Sequence, residues 1–280
     1  MKLLRYGPPG LEKPGCVHPD GSIRDLSEVV ADISSATISP EVLDNLLSTN
    51  IDALPVVDTP SRIGPCVGSP GKLLCIGLNY SDHAAETGAT PPGQPIMFHK
   101  AVTAICGPND DVEKPRGSEA LDWEVELAIV IGKRAKYVSE DEAMDYVAGF
   151  ALFNDVSERD YQIKLEGQWT KGKSHDTFGP LGPWLVTKDE IADVHNLSMW
   201  LDVNGEKRQR GSTSTLIFNV PTIISYVSRF MTLMPGDVIP TGTPPGVAMG
   251  MKPPQYLNVG DVMTLGIEGL GEQRQTVVAA

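Results

Sequence analysis

Two glutamates separated by one residue give the clearest prospect of chemistry in this sequence. Glu124 and Glu126 lie in the segment DWEVELAIVIG, which predicts a strand over 122–132 because its other positions are mostly apolar. Side chains alternate along a strand, so both carboxylates are expected on one face, opposite Trp123, Val125 and Leu127. Neighbouring carboxylates repel, and one takes up a proton unless a cation lies between them. The pair therefore predicts a cation site, with an ordinary exposed strand face as the competing interpretation.

A third acid lies where a second predicted strand ends. Asp155 follows the apolar run VAGFALFN, which predicts a strand over 147–154. Three carboxylates at strand ends, with no cluster of cysteine or histidine, favour a hard cation that prefers oxygen ligands. Mg²⁺ is expected first, followed by Mn²⁺ or Ca²⁺. The exposed strand face stays open as the alternative.

The segment NYSDHAAETG carries a histidine and a glutamate at helical spacing. It predicts a short helix that Ser81 caps and Gly88 ends. His83 and Glu86 are three residues apart and would share a face of that helix. A carboxylate beside an imidazole raises its basicity and fixes its tautomer, which suits a general base that acts on water. The competing interpretation is a surface histidine beside a surface glutamate.

Two further segments could contact an anion. Lys173 lies in the glycine- and aromatic-containing segment WTKGKS, where it could face an anionic substrate or a developing oxyanion. Thr243 lies in the loop TGTPPG, which could present backbone N–H groups and a hydroxyl to a carboxylate. A solvated lysine and a plain turn are the alternatives.

The elements that must position these residues are mainly strands. Residues 1–68 predict a small N-terminal domain, with a strand over 2–6 and a helix that Ser39 caps before Pro40. Residues 69–280 predict the larger domain, with a strand over 72–77, a helix over 219–233 and a hairpin over 262–268 and 274–278. Strands outnumber helices without regular alternation, which predicts an α+β fold with a mixed or antiparallel sheet rather than a Rossmann or TIM architecture.

Composition narrows the function further. The 280 residues are 41% hydrophobic and 21% charged, as in a globular domain, and the net charge is −13. Phosphate backbones and anionic membranes would repel such a chain, so nucleic-acid and membrane-surface roles are not expected. We expect a cytoplasmic protein, because no apolar run approaches the roughly 20 residues of a membrane span and no signal peptide is recognisable. The four cysteines contain no CxxC pair and are expected to be buried, reduced thiols.

The order of these motifs resembles the fumarylacetoacetate hydrolase superfamily. The segments KLLRYGPPGLEKPG and QWTKGKSHDTFGPLGPWLVT resemble in particular its bacterial branch of 2,4-diketo-3-deoxy-sugar-acid hydrolases and ureidoglycolate lyases. Over residues 70–271 the matching segments are CIGLNYSDHAAE, PIMFHKAVTAICGP, LDWEVELAIVIG, FNDVSERDYQ, GKSHDTFGPLGPW, MTLMPGDVIPTGTPPGV and IEGLG. The resemblance implies a strand-rich mixed β-sandwich roll, usually in a homodimer, behind a small N-terminal domain.

The resemblance also implies roles for individual residues. The metal-binding carboxylates of the family match Glu124, Glu126 and Asp155, and its water-activating pair matches His83 and Glu86. Further matches are Lys173 for stabilising negative charge, Gln162 and Thr243 for binding substrate, and Lys100 for a supporting role.

The implied activity is Mg²⁺-dependent hydrolysis of a C–C bond in a 2,4-dioxo acid of the acylpyruvate type, giving pyruvate and a second acid. The expected partner is therefore a small anionic 2-oxo acid. The same metal site also serves lyases of this superfamily, including ureidoglycolate lyases and the decarboxylases or isomerases of catechol meta-cleavage catabolism. A metal-binding protein without catalysis is a third possibility.

Overall fold

A computed structural model of the protein describes residues 1–88 and 90–280, and these residues form nineteen strands. The first ten are β1 (Lys2–Tyr6), β2 (Lys13–Val17), β3 (Ile23–Asp25), β4 (Val56–Val57), β5 (Leu73–Gly77), β6 (Ile96–Lys100), β7 (Ile105–Cys106), β8 (Val112–Lys114), β9 (Leu121–Asp122) and β10 (Val125–Ile131). The others are β11 (Val147–Asn154), β12 (Ser157–Glu158), β13 (Gly179–Pro180), β14 (Leu185–Thr187), β15 (Ser198–Val203), β16 (Glu206–Ser212), β17 (Val238–Pro240), β18 (Val262–Ile267) and β19 (Gly271–Ala279).

Helices are few and short. The α-helices in the described residues are α1 (Pro40–Leu47), α2 (Ser81–Thr87), α3 (Arg159–Ile163), α4 (Thr170–Lys173) and α5 (Val220–Ser228). Single turns of 3-10 helix occupy Ile51–Ala53, Val102–Ala104, Ala143–Tyr146, Lys188–Glu190, Thr213–Thr215 and Ala248–Gly250. No helix in these ranges has the length and apolar character needed to cross a membrane. The expected strand-rich α+β class is confirmed.

The strands form two large sheets. The larger has ten strands in the order β4-β3-β2-β1-β14-β11-β10-β17-β5-β6, and the smaller has five in the order β16-β15-β18-β19-β8. Most neighbours are antiparallel, but β17 pairs with β5 and β19 pairs with β8 in parallel. The sheets are therefore mixed, as expected.

Strand β10 is buried on both faces. Val125, Leu127, Ile129 and Ile131 belong to a core that also contains side chains from β15 and β18 of the five-stranded sheet. The alternate side chains Ala128 and Val130 belong to a second core, which lies against the N-terminal region. Glu126 lies near the start of β10, on the same face as Ala128 and Val130. Its carboxylate therefore faces the protein interior rather than an open surface.

Residues 1–68 complete the large sheet. Leu3 of β1 pairs with Leu185 of β14 and with Cys16 of β2, so the N-terminal strands continue the sheet that contains β10 and β11. Helix α1 begins as predicted, because the Ser39 side chain accepts a hydrogen bond from the Val42 N–H and Pro40 occupies the first turn. The division at residue 68 stays a prediction.

Several local predictions needed correction. The strand predicted over 122–132 is interrupted, because β9 ends at Asp122 and β10 begins at Val125. Tyr80, not Ser81, is the N-cap of α2, and the Ser81 hydroxyl donates to the Thr215 carbonyl instead. Helix α5 is shorter than the predicted 219–233, since it ends at Ser228. All four cysteines are free and buried, as expected.

Candidate metal and catalytic site

The three predicted carboxylates meet where two neighbouring strands end. Val125 at the start of β10 pairs with Asn154 at the end of β11, so Glu124 and Asp155 lie side by side, and the Asp155 N–H donates to the Glu124 carbonyl at 2.9 Å. One oxygen each of Glu124, Glu126 and Asp155 lies within 4.8 Å of the others. The three residues are 7%, 2% and 0% exposed, which excludes the ordinary exposed strand face.

Buried cations surround this acidic cluster. Lys173 Nζ lies 2.7 Å from Glu124 Oε2 and 2.9 Å from Asp155 Oδ2. Lys100 donates to the other Asp155 oxygen and, at 3.0 Å, to the Val156 carbonyl. Arg159 Nη2 lies 2.6 Å from Glu124 Oε1. Because charged groups are rarely buried without partners, these ion pairs are what allow the cluster to lie inside the protein.

The carboxylates differ in their protonation. Burial raises the pKa of Glu124, but Lys173 and Arg159 outweigh it and lower that pKa to about 2. Burial, together with the negative charges of Asp155 and Glu124, raises the pKa of Glu126 well above its usual range. Burial lowers the pKa of Lys173, but the negative charges of Asp155 and Glu124 outweigh this effect and raise the pKa to about 12. The neighbouring cations therefore do not offset the negative charge around Glu126, and its carboxyl group holds a proton unless a further cation binds there.

This donor set fits a divalent cation. All three groups are carboxylates, the ligands that Mg²⁺, Mn²⁺ and Ca²⁺ prefer, and each offers an oxygen close enough to its neighbours to share one ion. Glu126 Oε2 accepts the Gly242 N–H at 2.9 Å, which fixes the orientation of the carboxylate. The buried Glu-Glu-Asp group could thus hold a divalent metal.

His83 lines the same cavity as Glu124 and Glu126. His83 Nδ1 lies 3.1 Å from Glu86 Oε2 on helix α2, so the contact expected from their spacing is present. Glu86 also accepts the Gly246 N–H at 3.1 Å. Helix α2 follows β5, and the loop 241–246 follows β17, the parallel neighbour of β5. The two segments therefore leave the sheet at the same edge and meet there.

Close helix packing brings Lys173 into the cluster. Helix α4 crosses α3 at Gly172, where an added Cβ would lie 2.3 Å from the Glu158 carbonyl and 2.4 Å from the Gln162 backbone nitrogen. A glycine is required at this position because any side chain would collide with the backbone of α3. The glycine in WTKGKS thus explains how the following lysine reaches the carboxylates.

Gln162 and Thr243 both line the cavity, and both are already hydrogen-bonded. Gln162 Oε1 accepts from Arg159 Nη1 at 3.1 Å, which leaves its amide N–H groups as donors. The Thr243 hydroxyl donates to the Val125 carbonyl and accepts from Gln209 Nε2, each at 2.9 Å. The predicted N–H groups of the loop 241–246 do reach carboxylates, but those of Glu126 and Glu86 in the chain itself.

Sequence reasoning missed the role of Arg159 and Asp122. Arg159 bridges Glu124 and Gln162 and lies 2.8 Å from Asp122 Oδ2. Asp122 in turn accepts the Ala248 and Met249 N–H groups, which fixes the loop that follows Gly246. Both residues lie within quoted motifs, and the need to balance three buried carboxylates is the signal that could have identified Arg159.

The cavity has a volume of about 230 Å³. Besides the residues already described, its lining includes aromatic and aliphatic side chains that were not predicted: Ile76, Phe98, Ile163, Trp169 and Met249. The rings of Phe98 and Trp169 meet edge to face at 5.2 Å.

Known proteins resemble this chain over its full length. A relative from Burkholderia multivorans, named only at the level of a hydrolase, is 56% identical over the full length of both chains. Among solved structures, fumarylacetoacetate hydrolase from Exiguobacterium antarcticum is 38% identical with a TM-score of 0.89, and 2-hydroxyhepta-2,4-diene-1,7-dioate isomerase from Mycobacterium marinum is 32% identical with a TM-score of 0.75. The alignments cover this chain completely, and cover 100% and 98% of those chains.

A third solved structure contains a metal. It is maleylpyruvate hydrolase from Sphingobium sp. SYK-6 in complex with manganese(II) and pyruvate, 29% identical with full coverage of both chains and a TM-score of 0.84. The family model for the C-terminal region of fumarylacetoacetate (FAA) hydrolase matches residues 72–278. The chain therefore belongs to the fumarylacetoacetate hydrolase family, whose members compared above are hydrolases and isomerases.

Proposed function

We propose that this protein is a Mg²⁺-dependent hydrolase that cleaves a C–C bond of a 2,4-dioxo acid, giving pyruvate and a second acid. The observation that carries the proposal is that Glu124, Glu126 and His83 line one cavity. The two glutamates form a buried carboxylate cluster with Asp155, which would hold the metal. His83 is hydrogen-bonded to Glu86 and would activate water.

The three carboxylates would bind the metal through one oxygen each. When bound, a divalent cation would supply Lewis-acid stabilisation of negative charge on the 2-oxo and carboxylate oxygens of the substrate. Lys173 is fixed between Glu124 and Asp155 and would stabilise further negative charge beside them. Gln162 would direct its amide N–H groups to the substrate, since Arg159 occupies its oxygen. A substrate carboxylate at Thr243 would have to displace the Val125 carbonyl from its hydroxyl.

His83 would act as the general base. Glu86 holds the ring with the Nδ1 proton directed at its carboxylate, so the lone pair on Nε2 accepts the proton of a water molecule. The hydroxyl adds to C4 of the substrate, the C3–C4 bond breaks, and C3 takes up a proton. Carbons 1–3 leave as pyruvate, and the C4 fragment leaves as a carboxylic acid.

Product analysis by NMR tests this proposal. The protein is incubated with Mg²⁺ or with EDTA and with 2,4-dioxo acids, oxaloacetate and ureidoglycolate. Mg²⁺-dependent formation of pyruvate and a second acid is the expected result. Ketonisation without cleavage, pyruvate with CO₂ alone, or glyoxylate with urea would instead establish the isomerase or lyase alternative. The relative from Mycobacterium marinum is named as an isomerase, which is the reason for testing the isomerase alternative.

A variant separates the two roles of the site. His83→Asn should lower kcat about 100-fold or more, the usual range for losing a general base, while leaving Mg²⁺ affinity unchanged. His18→Asn is the matched control, since His18 also contacts carboxylates, Asp20 and Asp52, but lies in the N-terminal region. Unchanged kcat in His83→Asn would remove the assigned base. Metal binding without turnover of any compound in the panel would leave the proposed activity unsupported and would favour the non-catalytic alternative.

We also propose that the protein acts as a cytoplasmic homodimer on a small anionic substrate, without nucleic-acid or membrane partners. The net charge of −13 supports this choice of partner. Sedimentation at several protein concentrations tests the dimer.

A further inference from the structure

The side chains of the cavity lining that can carry a positive charge all contact carboxylates of the protein itself. Arg159 and Lys173 both contact Glu124, and Lys173 also contacts Asp155. His83 contacts Glu86. Among the described residues that line the cavity, every side chain able to carry a positive charge is therefore already paired with a carboxylate of the chain itself.

The remaining side chains of the lining are largely apolar. Phe98 and Trp169 form an aromatic contact, and Phe98 lies under Lys173, whose Nζ is 5.2 Å from the ring centroid. Gly77 allows Trp169 to approach, because an added Cβ there would lie 2.7 Å from the tip of the indole. Ile163 and Met249 extend the apolar surface. A substrate held by its 2-oxo acid end would thus meet hydrocarbon beyond that end.

A neighbouring groove does not supply a cation for the far end of a longer substrate. This groove of about 300 Å³ shares Arg159, Ile163 and Met249 with the cavity. Its further charged residues are Glu119, Asp160 and Lys164, and Lys164 Nζ lies 2.8 Å from Asp160 Oδ1. The added charge of the groove is therefore net negative.

The described cations of the cavity and the groove all have carboxylate partners within the protein. Arg159 and Lys173 contact Glu124, Lys100 contacts Asp155, and Lys164 contacts Asp160. A second carboxylate on the substrate would leave water without gaining a cation, at a large cost in free energy.

We propose that the substrate is a monocarboxylic 2,4-dioxo acid whose tail is uncharged and apolar, with Phe98, Ile163 and Trp169 selecting against a tail carboxylate. This inference rests on the proposed function, because it takes the 2-oxo acid end to be held at the carboxylate cluster. It names the substrate class within that function.

Two inert ligands of equal length test the tail directly. 2-Oxohexanoate and 2-oxoadipate differ only in a terminal methyl against a terminal carboxylate, and neither contains the 4-oxo group required for cleavage. Isothermal titration calorimetry with the Mg²⁺-loaded protein should show 2-oxohexanoate binding tighter by about tenfold or more. Equal affinity, or tighter binding of 2-oxoadipate, would overturn the proposal on the tail alone. Binding of neither compound would show that the 2-oxo acid end is wrongly assigned, and the proposed function would fail with it.

A positive charge introduced into the cavity lining should reduce the preference for 2-oxohexanoate over 2-oxoadipate. Ile163→Arg adds a positive charge to the cavity lining at a position that is 52% exposed, so folding should tolerate it. The ratio of the affinity for 2-oxohexanoate to that for 2-oxoadipate should fall about fivefold. Leu165→Arg is the matched control, since Leu165 is 46% exposed on the same segment but does not line the cavity. An equal effect of both variants would indicate general charge attraction and would contradict selection by the lining.

Discussion

Lys173 shows how one side chain can serve both the stability and the chemistry of a buried site. It is 2% exposed and forms ion pairs with two of the three carboxylates that would bind the metal. Its positive charge therefore compensates the same carboxylates that a divalent cation would compensate. The lysine and a bound metal would repel each other, although both would attract an anionic substrate.

Replacing this lysine should separate metal binding from catalysis. In Lys173→Met, Mg²⁺ affinity should rise about tenfold because a competing positive charge is gone. The value of kcat/KM should fall about 100-fold or more, because charge stabilisation in the transition state is lost. Calorimetric titration of Mg²⁺ and steady-state kinetics measure the two effects.

Lys171→Met is the matched control for this experiment. Lys171 lies two positions earlier on α4, where its side chain is exposed and donates to the Leu165 carbonyl. It should leave both quantities unchanged. A parallel fall of metal affinity and kcat/KM in Lys173→Met would mean that the lysine only maintains the shape of the site.

At the scale of elements, buried amides join the two large sheets beside the site. Gln209 of β16 accepts the Val125 N–H through Oε1 and donates through Nε2 to the Thr243 hydroxyl and the Pro244 carbonyl. It thereby ties the strand that carries Glu126 to the loop that contacts Glu126. Gln273 of β19 donates to the carbonyls of Leu152, Pro180 and Gly182, away from the carboxylates.

Substituting these two glutamines separately distinguishes a role in positioning Glu126 from a role in the stability of the fold. Gln209→Leu and Gln273→Leu should each destabilise the fold by about 1–3 kcal/mol, because buried hydrogen-bonding groups are left unpaired. Chemical denaturation measures that loss. Only Gln209→Leu should also lower kcat, since it releases the strand and loop around Glu126. Equal kcat in the two variants would contradict a positioning role for Gln209.

The sequence predicted elements well where local rules decide them. The 147–154 strand, the start of α1 at Pro40 and the C-terminal hairpin are present nearly as expected. Prediction failed where distant contacts decide the outcome. The strand over 122–132 is interrupted because the backbone N–H groups of Trp123 and Glu124 donate to the side-chain oxygens of Asp122 and Asn154 rather than to the carbonyls of a neighbouring strand. The two glutamates were found because strand alternation is local, and Asp155 because it directly follows an apolar run. Arg159 required knowledge of which charges meet in the fold.

At the scale of the whole molecule, the N-terminal region is part of the main architecture. It contributes β1 to β4 to the ten-stranded sheet. Its buried side chains Leu3, Leu26 and Ile33 share a core with Val130 and Phe153 of β10 and β11. Arg62 adds two contacts to the Asp110 carboxylate, at 2.7 and 2.6 Å.

Removing residues 1–68 should therefore prevent stable folding of the remainder. The deletion would expose the edge of β14 and one face of the second core, which promotes aggregation. We expect the 69–280 fragment to lack a cooperative thermal transition and to elute as aggregate in size-exclusion chromatography, in contrast to the full chain. A monodisperse fragment with a sharp transition would show that the region is a separable domain.

The pairing of β1 with β14 also determines when this protein can fold during synthesis. Leu3 can pair with Leu185 only after Leu185 has been synthesised. Ribosomes add roughly 5–20 residues per second, so β1 leaves the ribosome roughly 10–40 s before β14 is made. During that interval the β1–β2 hairpin has an unpaired edge and an uncovered apolar face. Contacts of such long range also slow the folding of the completed chain. Nascent chains should accordingly be held by a chaperone until β14 has emerged.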